Sequence, residues 1–143
     1  MPAATGTVFD RFPRPPCADL LGWELLEHRA ADGWARIGFL ARPEFLNPAG
    51  FVQGGILGAM LDDSMGPPLL LMTEGRFFTS TIDMNVSFLA PAGAGPLFGE
   101  GQVVQMGRSI AFLEAKLMDA DGKLLARATS SARLVEVEKL ASG

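Results

Sequence analysis

Two aspartates, Asp62 and Asp63, stand inside an apolar run that opens with paired glycines, GFVQGGILGAMLDDSMGPP over residues 50–68. A carboxylate in such a setting can attack an electrophilic carbon or take a proton from water. Glycines at a helix start leave backbone N–H groups open to an incoming oxygen. Few other reactive partners are available. The chain has one histidine, His28, and one cysteine, Cys17, so neither a Cys/His metal cluster nor an internal disulfide is expected. No Ser-His-Asp arrangement can be assembled, because His28 is the only imidazole and the serines lack a nucleophile elbow. The stretch PAGAGP, residues 91–96, precedes a strand pattern rather than a helix, so it reads as a turn and not as a phosphate loop.

The elements that must position these residues follow from periodicity. Residues 1–16 are rich in proline and small residues and read as a flexible N-terminal arm, leaving residues 17–143 as a single domain. CADLLG adds one helical turn. WELLEHRA and WARIGFLA, strands near 23–30 and 34–41, are separated by an Asp32-Gly33 hairpin signal; Trp23 and Trp34 read as packing residues of that hairpin. RPEFLNPAGFVQ is a loop. From Gly54 to about Gly75 the pattern is helical, with Pro67 and Pro68 expected to kink or interrupt it. In TSTIDMNVSFL the even positions Ser80, Ile82, Met84, Val86 and Phe88 are mostly apolar and the odd ones polar, the mark of a half-buried strand. Two more strands, about 97–106 and 109–119, are joined by a turn at Met106 and Gly107, and Asp121-Gly122 turns into the last strand, KLLARATSSARLVEV. A single long helix therefore faces six antiparallel strands. One helix cannot cover both faces of such a sheet, so a second chain is expected on one face or edge.

Bulk properties bound the function. The chain has 143 residues, 48% hydrophobic and 20% charged, with a net charge of −4. That length fits one ordinary domain with a real core. The negative balance argues against a nucleic-acid surface, which needs clustered Lys and Arg. No stretch reaches the roughly 18 apolar residues of a membrane span, and the first residues lack a signal-like apolar core. A cytoplasmic protein without membrane or nucleic-acid partners is expected.

On a 3.6-residue helix the neighbours of Asp62 are Gly58, Ala59, Met65 and Gly66, nearly all small, so a backbone or ligand can approach closely. Asp63 points at a different angle, toward Met60 and Pro67, and reads as solvated or as a cap for the segment that begins with the prolines. Most helical aspartates are simply solvated. Context separates these two.

The segments NPAGFVQGGILGAMLDDSMG, TIDMNVSFLAPA and GRSIAFLEAKLMDADGKLLARAT resemble the hotdog-fold acyl-CoA thioesterases of the phenylacetate-degradation type, over roughly residues 20–135. The resemblance implies an α+β hotdog fold, with one long central helix packed on a six-stranded antiparallel sheet. It also implies a thioester hydrolase whose site motif falls on Asn47, on Gln53-Gly54-Gly55, on Asp62 and on Thr81, with Ser80 an adjacent alternative. The family pattern usually has histidine where this chain has Gln53. A glutamine can donate a hydrogen bond to a carbonyl oxygen but carries no proton near neutral pH. Its part is then to orient or polarise, leaving Asp62 as general base or nucleophile and Thr81 to hold the water or the carboxylate.

Physical chemistry supports the assignment. The oxyanion of a thioester transition state needs donors such as the Gly54 and Gly55 N–H groups at a helix N-terminus. Gly55 and Asp62, seven residues apart on one helix, are separated by roughly 10 Å along its axis, whereas one carbonyl needs both groups at about 3 Å. Two copies related by a two-fold axis would solve this by placing Gly55 of one beside Asp62 of the other. The expected assembly is a homodimer, and the fold allows a homotetramer. The substrate implied by the resemblance is a CoA thioester, with coenzyme A as part of the substrate and no separate cofactor. Arg108 and Ser109 in the turn MGRSI are positions for its phosphates, and Met65 is a position for lining the acyl pocket. A hydratase of the same fold would want a histidine closely following the FLNPAG stretch, and none is present. A non-catalytic acyl-CoA binding or sensing protein is the rival that Gln53 favours. Retention of Asp62 at the motif spacing favours the enzyme, because a buried carboxylate kept only for binding is costly.

Overall fold

The computed structural model describes residues 6–138. Six strands, β1 (Glu24–Arg29), β2 (Trp34–Ala41), β3 (Phe77–Phe88), β4 (Gly95–Met106), β5 (Ile110–Asp119) and β6 (Leu124–Glu136), form one sheet in the order β1-β2-β4-β5-β6-β3. Every neighbouring pair is antiparallel. Two helices accompany the sheet, the short α1 (Pro16–Leu21) and the long α2 (Gly54–Met72). The expected architecture of one long helix on six antiparallel strands is present. No helix among the described residues is long and apolar enough to cross a membrane.

α2 packs on β2, β3, β4, β5 and β6. Its rows Leu57, Leu61, Met65, Leu69 and Met60, Ser64, Pro68 repeat every fourth residue and are all buried, the stripe a helix needs to lie on a sheet. They meet the inward faces of β2 (Ala35, Ile37, Phe39) and β5 (Leu113, Ala115, Leu117). Each fully buried Leu or Met contributes about 1.5–3 kcal/mol.

Of the kink or interruption expected from the two prolines, the interruption does not occur: α2 runs through both of them. Pro67 removes the donor for the Asp63 carbonyl, and the Trp23 indole Nε1–H takes its place at 3.2 Å. Pro68 removes the donor for the Ser64 carbonyl. That oxygen turns toward Gly101 of β4, where any side-chain carbon would fall inside contact distance. A Cβ at Gly99, one pleat away, would likewise overlap the Ser64 hydroxyl, which donates to the Met60 carbonyl at 2.8 Å. Helix and sheet thus touch backbone to backbone at β4. α2 also ends at Met72 rather than near Gly75: Thr73 Oγ1 donates to the Leu69 carbonyl at 2.9 Å, and Glu74 and Gly75 take left-handed φ values of 53° and 82°.

The alternation expected along β3 holds only in part. β3 pairs with β6, with Thr81 opposite Ala132 and Asp83 opposite Ser131, so Ile82 is an inserted, bulged residue. A bulge reverses the side-chain phase. Phe77 and Thr79 are half-buried before it and Met84 and Val86 after it, while Ser80 and Ile82 are exposed. β3 is an edge strand, with Phe78 48%, Ile82 57% and Phe88 55% exposed.

Of the segment expected as an arm, residues 6–16 are described. Val8–Arg11 forms a 3-10 turn, Phe9 lies 5.2 Å from Trp23 between ring centroids, and Arg11 donates to the Glu74 carbonyl at 3.0 Å. The first hairpin turn is longer than Asp32-Gly33 alone: Ala30–Asp32 makes a 3-10 turn that ends at Gly33 with φ 62°. Trp34 lies under the Arg29 guanidinium, 4.0 Å from the ring centroid.

Candidate active site

One stripe of α2, Gly54, Gly58, Asp62 and Gly66, advances by four residues and so stays on one side of the helix. It runs against β3. A Cβ at Gly54 would lie 3.3 Å from the Phe88 ring, one at Gly58 3.9 Å from the Met84 methyl, and one at Gly66 3.0 Å from Thr79 Oγ1. The three glycines let the strand lie close, and Asp62 is the stripe's only functional side chain. Thr81 Oγ1 donates to Asp62 Oδ1 at 2.8 Å. Ser80, the alternative on sequence grounds, is exposed and lies on the other side of the pleat from Thr79 and Thr81.

At the other end of the stripe the Gln53 carbonyl accepts the Ile56 and Leu57 N–H groups at 2.9 and 3.2 Å. Gln53 is the N-cap residue, and its exposed side chain makes no capping bond. Gly54 and Gly55 occupy the first turn, whose N–H groups have no partner within a helix. Gly55 is exposed, and a Cβ there would meet nothing within 4 Å. Asn47 holds the loop before the helix: its Oδ1 accepts the Ala49 and Phe51 N–H groups at 3.0 and 3.1 Å.

The aspartates are unlike. Asp62 is exposed in the isolated chain, while Asp63 is half-buried. Burial, and secondarily the Asp62 carboxylate beside it, push the Asp63 carboxyl up to about 6 from an ordinary 3.8. Among the described residues no salt bridge reaches it. The Cys17 thiol is also pushed up, by burial first and then by Asp63 and Asp62, which leaves it a poor nucleophile.

The remaining sequence-derived residues are scattered. Met65 is 1% exposed inside the core and lines no open surface of this chain, because its helical row faces the sheet. Arg108 and Ser109 are exposed in the β4–β5 turn, where the Ser109 carbonyl accepts the Leu134 N–H at 2.8 Å. Leu134 pairs with Thr79, so this turn lies at the end of the sheet where Thr79 and Thr81 sit. His28 is exposed on β1, at the edge of the sheet opposite β3. Among the described residues no group of three or more His, Cys, Asp and Glu side chains could hold a metal ion.

Two features escaped the sequence reading. An apolar hollow of about 720 Å³ lies under the 3-10 turn, walled by Phe9, Phe12, Trp23, Leu25, Leu70 and Phe78. Trp23 ties it to the site through its bond to the Asp63 carbonyl. The signal was Pro67, which frees that carbonyl four residues earlier, but nothing local names the distant donor. The second is Asp83, whose Oδ1 accepts the Ser131 N–H at 3.2 Å and the Ser131 hydroxyl at 2.8 Å.

Known proteins share this fold. A phenylacetic acid degradation-related protein from Ralstonia eutropha JMP134 superimposes with a TM-score of 0.82 at 36% identity, over 88% of this chain and 95% of that one. Human acyl-coenzyme A thioesterase 13 is 34% identical over 86 residues, 59% of this chain and 61% of its own length. This chain thus spans less than two thirds of that relative. A Streptococcus mutans UA159 protein solved with acetyl CoA shares the fold, with a TM-score of 0.69 at 18% identity over 80% of this chain and 89% of that one. The architecture is the hotdog fold of the thioesterase superfamily. The model of the acyl-CoA thioesterase C-terminal domain family matches residues 21–134, and the chain belongs to that family.

Proposed function

We propose that this protein hydrolyses an acyl-CoA thioester to a free acid and CoA. The observation that carries the reading is Asp62, held by Thr81 at 2.8 Å on an otherwise glycine stripe that begins at an open helix N-terminus. Asp62 either attacks the thioester carbonyl carbon or takes a proton from the water that does. The tetrahedral oxyanion is met by the Gly55 N–H, helped by the Gly54 N–H and the helix dipole. Collapse of that intermediate expels the CoA thiolate, which leaves as the thiol after protonation; on the route of direct attack the resulting acyl–Asp62 anhydride is then opened by water, which releases the acid and restores the carboxylate. Gln53 orients the carbonyl as a donor.

Gly55 and Asp62 lie on one unbroken helix, so the donor comes from a second copy. The unpaired β3 edge with its exposed Phe78, Ile82 and Phe88 supplies the surface for that homodimer. Arg108 and Ser109 meet the CoA phosphates, in keeping with the acetyl CoA held by a protein of the same fold. The hollow behind Trp23 takes the acyl or aryl group, its apolar walls favouring a bulky substituent over acetyl.

CoA release from a panel of aryl- and alkyl-CoA thioesters, followed with a thiol-reactive dye, tests the reading. Asp62→Asn loses about 10²-fold or more while Asp63→Asn keeps its activity. Gly55→Val is accommodated within the chain yet blocks the site. Refolded together, inactive Asp62→Asn and inactive Gly55→Val chains recover about a quarter of wild-type activity, since half the dimers carry one intact site of two. No recovery rules out the shared site. Binding of CoA thioesters without any cleavage rules out the enzyme in favour of an acyl-CoA binding protein, the reading that Gln53 supports.

A further inference from the structure

We infer that Asp83 is a positioning residue for thioester hydrolysis: its carboxylate pins the β3 bulge, and the bulge is what turns Thr81 toward Asp62. The inference rests on the reading of Asp62 as the working carboxylate. It begins with the pleat. Met84 and Val86 face α2, and an uninterrupted strand continues with every second residue. Without the bulge, Ile82 and Ser80 would face the helix, and Thr81 would point away from Asp62. An isoleucine side chain would then stand where the hydroxyl donor now is. Insertion of Ile82 into the ladder shifts the phase by one residue and brings Thr81 and Thr79 inward.

A bulge leaves the ladder locally unpaired and needs something to hold it. Here the N–H of Ser131, the residue that pairs with Asp83 just past the inserted Ile82, donates to a side chain, Asp83 Oδ1, and the Ser131 hydroxyl donates to the same oxygen. The bulge is thereby closed by one carboxylate oxygen accepting two hydrogen bonds from β6. The Asp83 carboxylate bonds to Ser131 rather than to Asp62, whose partner is Thr81. It acts through the backbone that carries Thr81.

The test is a double-mutant cycle on turnover of the best thioester in the panel, with Thr81→Val as the second arm. Asp83→Ala lowers kcat about 10-fold or more with KM within about 2-fold, because Thr81 loses its aim and the substrate surfaces are untouched. Asp83→Asn, whose amide oxygen can accept both bonds, stays within about 3-fold of wild type. In the Thr81→Val background, Asp83→Ala costs less than about 2-fold more, since the residue it positions is already gone. Full additivity of the two losses overturns the inference, as does an Asp83→Asn variant no better than Asp83→Ala. Should Asp83→Ala fail to fold, Ser131→Ala carries the same cycle with an expected loss of about 3-fold, and absence of coupling to Thr81→Val is decisive against it.

A second readout separates this inference from the reading beneath it. The carbon-13 resonance of the Asp62 carboxyl, which reports the hydrogen bond from Thr81, moves with Asp83→Ala in the same direction as with Thr81→Val whether or not any thioester is cleaved. An unmoved resonance overturns the positioning role. A wild type that cleaves nothing while the resonance moves overturns the thioesterase reading alone.

Discussion

Replacing Asp63 by asparagine removes an ionisable group from the least hospitable position on α2. In the folded chain burial and the adjacent Asp62 raise the Asp63 carboxyl from 3.8 to about 6. The folded state therefore holds this proton to a higher pH than the unfolded chain does. Below about pH 4 both states are protonated and the group is neutral to stability. Between about pH 4 and 6 the folded state binds more protons, so stability falls as pH rises, and above that window the whole penalty is present. A shift of about two pH units corresponds to about 3 kcal/mol at most, and solvent screening of a half-buried side chain brings this to about 1–2 kcal/mol. The replacing amide cannot ionise and retains similar volume. Near pH 7.5 the variant is expected to be more stable than wild type by about 1–2 kcal/mol, a rise of about 0.5–1 M in the urea midpoint at a slope of about 2 kcal/mol per M. Near pH 4 the two curves meet. Urea unfolding at fixed protein concentration across this range, read by tryptophan fluorescence, measures both. An Asp63→Asn chain less stable than wild type near pH 7.5, or two midpoint curves parallel from pH 4 to 6.5, refutes the burial argument.

Trp23→Phe keeps much of the ring but leaves the Asp63 backbone carbonyl without its donor. A loss of about 1–3 kcal/mol in thermal or urea unfolding is expected, and Pro67→Ala, which restores a helical N–H to that carbonyl, recovers part of it. Gly101→Ala drives a methyl into the Ser64 carbonyl and costs about 3 kcal/mol or more, read as loss of soluble expression or a depressed unfolding midpoint. Thr81→Val preserves shape and strand propensity while removing the donor to Asp62. Its kcat falls about 10- to 100-fold with little change in KM, measured by CoA release under saturating thioester.

The strands and the long helix were legible because their periods are written locally, as in WARIGFLA, whose alternate residues Ala35, Ile37, Phe39 and Ala41 are all buried. The distance between Gly55 and Asp62 was legible too, since helical rise fixes it. The bulge was not. TSTIDMNVSFL reads as unbroken alternation, and only the register against β6 reveals that Ile82 is an extra residue. Thr81 could be named from the resemblance, whereas the reason it faces Asp62 lies in Asp83 and Ser131, 48 residues apart. The prolines misled for the same kind of reason. Local chemistry leaves a kink or a break open, and the relief that lets the helix continue comes from Trp23, 40 residues away, and from a glycine on β4. Asp63 reads as solvated or as a cap by helical angle alone, and its burial follows from Trp23 and α1 lying beside the middle of the helix.

The position of β3 at the sheet edge has a kinetic consequence. Its strand partner within the chain is β6, so Phe88 meets Ala126 and Phe77 meets Glu136. As the chain emerges from the ribosome, α2 and β3 are made early, yet the strand that fixes the register of Thr81 comes last. That pairing has to await the synthesis of β6, and closing the chain between the two strands adds its own entropic cost. The nascent chain can assemble β1, β2, β4 and β5 around α2 while Thr81 and Asp62 are still unaligned. Arrival of β6 then completes the sheet and the candidate catalytic pair in one step, and a chain stalled before that point presents an apolar, unpaired β3 to quality control.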